Sequence, residues 1–233
     1  MLPRPVTVTS EAMHAFAHDV RSYIRTALTR AQLVDRSSGE ALDEKARAHL
    51  KDAIDAISGV DKLVEAFVRY SEALDPLSAE RRTAPLKLVV QGAAIAMKPR
   101  FTNAGGSLIV DSEIPELPTL AALRTVLIEL LDNSLKFRGV DPPQAAIHYR
   151  RNNGRFAILV VDNGIGFEPG QCIEIFQPFK RLHSKHMYPG NGLGLAISKS
   201  LIEQGGGEIS AESKAGAGAT FICSLPAHNP RDF

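Results

Sequence analysis

Residues 163–194 hold the stretch that decides the fold: Asn163-Gly164-Ile165-Gly166-Phe167, then Ile175-Phe176-Gln177-Pro178-Phe179, then Gly190-Asn191-Gly192-Leu193-Gly194. Two glycine-rich turns bracket a segment with aromatic flanks and the basic pair Lys180-Arg181, and the second turn opens straight into an apolar helical pattern. Glycine accepts positive φ and lets a ligand approach the backbone closely. A glycine-rich lead into a helix presents unpaired N–H groups to an anion, most often phosphate. The stretch reads as the wall of a nucleotide pocket. The rest of the chain either completes that pocket or brings a phosphoryl acceptor to it.

Immediately upstream, Asp162 ends an apolar strand at 156–161. A carboxylate at a strand end can accept a hydrogen bond from an exocyclic amine such as that of adenine, although Asn-Gly alone also makes a simple turn. Further back, residues 119–137 form a strong helical pattern. At 100° per residue, Glu129, Asp132, Asn133 and Lys136 share one face, and Leu123, Leu127, Leu130 and Ser134 the other. An amide oxygen suits Mg²⁺, the Glu129 carboxylate can orient or deprotonate a nucleophile, and a lysine can meet a phosphate. The same face also reads as a solvated one with ordinary i,i+4 partners. Likewise Phe176 and Phe179 read as core residues, and Lys180-Arg181 as surface.

The spacing around these motifs predicts a helix over 86–97, a strand over 107–111 and a proline-containing loop to residue 118. Strands at 144–151 and 155–161 join through Asn152-Asn153-Gly154 as a hairpin turn. A helix at 194–204 ends at Gly205-Gly206-Gly207, and a last hairpin, 207–213 and 219–225, turns at 214–218. Interleaved helices and hairpins imply a mixed α/β two-layer sandwich over 86–228, with 229–233 as a tail.

The N-terminal part is different. Residues 1–9 carry two prolines and no helical pattern, a flexible lead-in, and Ser10 is an N-cap candidate. Over 11–35 apolar residues fall three and four apart at Met13, Phe16, Val20, Tyr23, Ala27 and Val34, with Arg30 filling one position of the series. Arg36-Ser37-Ser38-Gly39 breaks the pattern. A second helix at 41–74 places its seam at Ala46, Leu50, Ala53, Ile57, Val60, Val64, Phe67 and Leu74. Residues 10–75 are then an antiparallel helical hairpin, which a second copy would complete as a four-helix bundle. Residues 76–85, with two prolines and Arg81-Arg82, read as a linker.

Composition bounds the alternatives. The 233 residues are 44% hydrophobic and 23% charged, with a net charge of +1, which gives no reason to expect nucleic-acid binding. Two cysteines, Cys172 and Cys223, lack metal-ligand spacing and suit a reducing compartment. No apolar run reaches spanning length and no signal-peptide pattern opens the chain, so no direct membrane insertion and a cytoplasmic location are expected.

In order and spacing these elements resemble the N, G1, F and G2 boxes of the sensor histidine kinases, within the wider group of ATPases that includes gyrase and MutL. The N box is residues 129–137, the G1 box 162–167, the F box 175–179 and the G2 box 190–195. The run Phe179-Lys180-Arg181-Leu182-His183, with Tyr188-Pro189-Gly190, is most similar to kinases of the bacteriophytochrome type. The resemblance implies an ATPase domain of the histidine-kinase (Bergerat) type. It also demands an acceptor histidine followed by an acid on the first helix, and the chain supplies His18-Asp19. With Met13, Val20, Ala27 and Val34 as heptad a positions, His18 falls at f, facing solvent. His14 lacks an acidic follower.

By resemblance, Asn133 coordinates Mg²⁺, Asp162 takes the adenine amine and Lys136 meets the phosphates of ATP. Gly164, Gly166, Phe179, Gly190, Gly192, Leu193 and Gly194 line the nucleotide, with Lys180 and Arg181 in or beside a lid. Asp19 holds the ring N–H of His18 so that the other nitrogen attacks the γ-phosphoryl group. The group then passes to an aspartate on the receiver domain of a response regulator, and the kinase works as a homodimer. The chain departs from the pattern at Tyr23, where proline is common, and at Ser22, where Thr or Asn accompanies phosphatase activity. A histidine phosphotransferase, which relays phosphoryl groups without ATP, is the alternative; such a protein is expected to have lost its N and G1 boxes. An ATPase-gated clamp would leave His18-Asp19 unexplained.

Overall fold

The computed structural model describes residues 10–38, 41–74, 83–152, 154–184, 187–188 and 190–227. The lead-in 1–9, linker residues 76–82, the tail 229–233, and Gly39, Asn153 and Pro189 of the expected turns lie outside the described residues. The chain divides into two compact units, Met1–Asp75 and Pro76–Phe233.

The first unit is a hairpin of α1 (Ser10–Ser38) and α2 (Glu44–Leu74). Helix α2 starts three residues later than the spacing predicts. The reason is local: the Asp43 carboxylate accepts the Ala46 N–H at 2.7 Å, and Glu44 follows in the first turn, so the chain is capped there. The seam between the helices also shifts. Met13, Ala17, Val20, Ile24 and Leu28 turn inward, whereas Phe16 and Tyr23 are 61% and 79% exposed. Polar pairs cross the hairpin at two levels. His14 Nε2 meets Glu72 Oε1 at 3.0 Å, and the Arg21 guanidinium lies 3.4 Å from Asp61 and 3.5 Å from Glu65.

In the second unit a five-stranded sheet has the order β2-β4-β5-β7-β6, from β2 (Ser107–Val110), β4 (Gln144–Asn152), β5 (Arg155–Asp162), β6 (Glu208–Ser213) and β7 (Ala219–Pro226). Every pair is antiparallel except β2 with β4. Burial alternates residue by residue along β7, so Ala219, Phe221, Cys223 and Leu225 face the core. The opposing layer is α3 (Leu86–Asn103), α4 (Leu123–Lys136) and α5 (Gly194–Gln204), whose buried faces include Phe101, Leu127, Leu130, Leu201 and Ile202.

Three features differ from the sequence reading. Residues 83–85, assigned to the linker, form β1 (Thr83–Pro85), which pairs antiparallel with β3 (Pro118–Leu120). That pairing takes the first residues of the expected helix 119–137, so α4 begins at Leu123. Helix α3 runs six residues beyond Met97 despite Pro99. Buried Phe101 anchors its last turn, and the Ala104 and Gly106 N–H groups close it on Phe101 O.

Candidate active site

Asp162, the last residue of β5, is where the site is built. Its Oδ1 accepts the N–H of Gly164 (2.8 Å) and of Ala219 (3.2 Å), and its Oδ2 accepts the Ser134 hydroxyl at 3.2 Å. Burial pushes this carboxyl above the ordinary value of 3.8, and those three hydrogen bonds work against the push. Ser134 sits on the apolar side of α4 with Leu127 and Leu130, as its spacing predicts. Its role there was not read from sequence. The signal was available: a hydroxyl on a buried stripe needs a partner.

The loop after Asp162 is clamped at both ends. Ile165 N donates to Phe137 O at the end of α4 (2.9 Å), Gly216 N donates to Ile165 O (2.7 Å), and Phe167 N donates to Ser213 Oγ (2.9 Å). Two of its glycines have no substitute. A Cβ on Gly164 would stand 2.7 Å from Phe137 O, and Gly166, at φ 59°, packs against the carbonyls of Lys214 and Gly218.

The polar face of α4 meets the second glycine loop. A Cβ on Gly194, the first residue of α5, would lie 2.7 Å from Glu129 Oε2, and one on Gly190 would strike the Lys136 ammonium. Gly192, at φ 68°, backs onto Phe179 and the Lys180 carbonyl, and its own carbonyl accepts the Phe179 N–H at 2.8 Å. Glu129 and Lys136 therefore meet residues 190–194, and half-buried Asn133 lies between them on the same face of α4. Burial and the neighbouring Arg181 guanidinium lower the Lys136 pKa from its ordinary 10.5; Asp132 and Glu129 pull the other way. Asp132 itself turns away and pairs with Arg100 of α3.

Not every residue read from sequence points into this strip. Phe176 is buried, but Phe179 is 51% exposed and holds a left-handed φ of 63°. The Lys180 ammonium is taken by Glu174 at 2.7 Å, and Arg181 donates to Tyr188 O at 2.9 Å. Phe137, His183 and Tyr188 form a ring cluster with centroids 5.1–6.1 Å apart, and the Lys136 ammonium lies 4.6 Å from the Phe137 centroid. Spacing offers no cue for this cluster, because Phe137 lies more than forty residues before His183 and Tyr188.

On the hairpin, the His18 side chain is 84% exposed, and its Nδ1 lies 3.3 Å from Asp19 Oδ1. Arg25, Ser22, Thr26, Thr29 and Arg30 continue its face of α1 in a shallow groove. The ion pair with Glu72 occupies His14. Among the described residues no helix is long and apolar enough to cross a membrane. Nor do they contain a group of three or more His, Cys, Asp or Glu suited to a metal.

Residues 119–229 match the family of histidine kinase-, DNA gyrase B-, and HSP90-like ATPases. The chain is 32% identical, over 91% of its length, to phytochrome-like protein Cph1 of Synechocystis sp.. It is 30% identical, over 90%, to cyanobacterial phytochrome A of Nostoc sp.. It spans only 28% and 27% of the length of these curated relatives. Among solved structures, full-length ShkA in complex with AMPPNP superposes with a TM-score of 0.69 at 24% identity, covering 94% of this chain and 46% of ShkA. The Acinetobacter baumannii histidine kinase AdeS gives 0.61 at 20%, covering 91% of this chain and 98% of AdeS. These two likenesses carry the fold, a helical region followed by the mixed α/β ATPase domain. Residues 119–229 therefore belong to the histidine kinase-, DNA gyrase B-, and HSP90-like ATPases.

Proposed function

We propose that the chain is a histidine kinase core that binds Mg-ATP, phosphorylates its own His18, and passes the phosphoryl group to an aspartate on the receiver domain of a response regulator. The observation that carries this reading is the approach of Glu129 and Lys136 to the Gly190–Gly194 loop, with Asn133 between them on the same face of α4 and Asp162 bonded to Ser134 of the same helix. Asp162 Oδ1 is committed to two backbone N–H groups, so Oδ2 faces the adenine amine. Lys136 and the N–H groups of residues 192–194 receive the phosphates at the start of α5. Gly164, Gly166, Phe179, Gly190 and Leu193 shape the walls, and Arg181 belongs to the lid.

The donor set suits Mg²⁺. Asn133 and Glu129 are oxygen donors one helical turn apart, and Mg²⁺ is held by one or two protein oxygens together with substrate phosphates. When bound, the ion neutralises charge on the phosphate oxygens.

At the acceptor, Asp19 keeps the proton of His18 on Nδ1, which leaves the Nε2 lone pair outward. Nε2 attacks the γ-phosphorus, the bond to the bridging oxygen breaks, and ADP leaves with that electron pair. The exposed apolar residues Phe16, Tyr23, Val34 and Val60 support a homodimer that joins two hairpins in a four-helix bundle. Reliance on ATP places the work in the cytoplasm. Replacing His18 with Gln is expected to abolish label transfer from γ-labelled ATP while leaving nucleotide affinity nearly unchanged. Label persisting at the wild-type level would move the acceptor elsewhere.

A further inference from the structure

Glu174 opens a 3-10 turn, Glu174–Phe176, that buries Ile175 and Phe176. Gln177 N donates to Glu174 O at 3.0 Å, and Lys180 N donates to Gln177 O at 3.2 Å. Two successive three-residue turns bring positions 174 and 180 to the same side. There Glu174 Oε2 and Lys180 Nζ meet at 2.7 Å, with side chains 33% and 39% exposed. This is a charge-assisted hydrogen bond at the short end of its range. The backbone of Lys180, however, lies against the second glycine loop. Its carbonyl would lie 2.8 Å from a Cβ on Gly192, and its neighbour Phe179 is bonded to Gly192 O. The ammonium thus sits on a flexible four-carbon stem rooted beside the glycine loop, with a carboxylate holding it away.

We propose that Glu174 is a positioning residue that keeps Lys180 off the glycine loop until a third phosphate competes for it. Lys180 would then discriminate a nucleoside triphosphate from a diphosphate, and its pairing with Glu174 would temper that preference. The proposal rests on the nucleotide reading given above. A carboxylate and a terminal phosphate are rival anions for one ammonium. A diphosphate leaves the pair intact, whereas the γ-phosphate adds negative charge next to the root of the Lys180 stem. Half-exposed pairs are weak enough to be broken by such a competitor.

The test is the affinity of the full chain for Mg-ATP and Mg-ADP in wild type, Glu174→Gln, Glu174→Asp and Lys180→Gln. Freeing the ammonium by Glu174→Gln is expected to tighten ATP about fivefold, the upper range for such a pair, with ADP moving less than about twofold. Glu174→Asp retains the wild-type ratio. Lys180→Gln, which leaves the 3-10 turn untouched, weakens ATP more than ADP, and adding Glu174→Gln to it changes nothing further. Glu174→Gln shifting both nucleotides equally, or neither, would show the pair to be structural and overturn the proposal alone. Wild type binding neither nucleotide would overturn the site reading and this proposal together.

Discussion

The two units of the chain fold by different means. Among the described residues of the hairpin only Ala17 and Ala73 are buried, and Phe16, Tyr23, Leu33, Val34, Val60, Leu63 and Leu74 stay exposed. The ATPase domain encloses Phe101, Leu123, Leu127, Leu130, Ile147, Phe156 and Ile158 almost completely. A long amphipathic helix pair has two apolar stripes and only one neighbour, so half of its pattern stays uncovered. A sheet backed by three helices closes its core within one chain. One unit encloses its core by itself, and the other leaves apolar surface for the proposed second copy.

That contrast is sharpest in the response to truncation of apolar side chains. Leu127→Ala, at a fully buried site on α4, is expected to cost about 2–5 kcal/mol of ATPase-domain stability by denaturant unfolding. Val60→Ala in a dissociated hairpin is expected to stay within roughly 0.5 kcal/mol. Comparable losses at the two positions under dissociating conditions would erase the distinction.

Next in size is Asp162→Asn, expected to weaken ATP by roughly 1.5–3 kcal/mol, as for a hydrogen bond to a charged group. Unchanged discrimination against GTP in that variant would argue against contact with the adenine amine. The carboxylate also sets a pH dependence. Its folded pKa lies above 3.8, so the fold favours the protonated form, and this contribution to stability is lost as pH rises from 3.8 through the raised value. In the proposed contact with the adenine amine the carboxylate acts ionised, so affinity should fall on acidification at a higher pH than an ordinary aspartate would give. Asp162→Asn should remove that inflection in a titration. Asp111 shows the opposite sign. The Tyr149 N–H and His148 hold its pKa below 3.8, so its contribution is present above 3.8 and disappears as pH falls through the lowered value.

Smaller effects belong to the hairpin. Residues 1–75 alone are expected to sediment as a dimer, and a monomer would undercut the bundle. The His14–Glu72 pair, about half exposed on both sides, should contribute about 0.2–1 kcal/mol in a double-mutant cycle. A value near zero would leave α1–α2 register to the apolar seam.

How much of this was legible in sequence follows from the range of each interaction. Helix α5 and the hairpins β4–β5 and β6–β7 were readable because period, glycine punctuation and turns are local. The parallel pairing of β2 with β4 and the small β1–β3 sheet were not, since they join segments more than thirty residues apart. In the site, the glycines, Asp162 and the polar face of α4 were visible as motifs. The Glu174–Lys180 pair and the Phe137–His183–Tyr188 cluster needed the folded chain to bring them together. Asp43, like Ser134, was a signal passed over: an aspartate before a charged first turn is an N-cap pattern.

The most direct test of the central claim is transfer of label from γ-labelled ATP to the purified chain in the presence of Mg²⁺, followed by chemical challenge of the product. The account predicts incorporation at His18 through a phosphorus–nitrogen bond that survives base and is lost in acid. A chain that binds ATP yet acquires no label, or acquires one stable to acid, would contradict it.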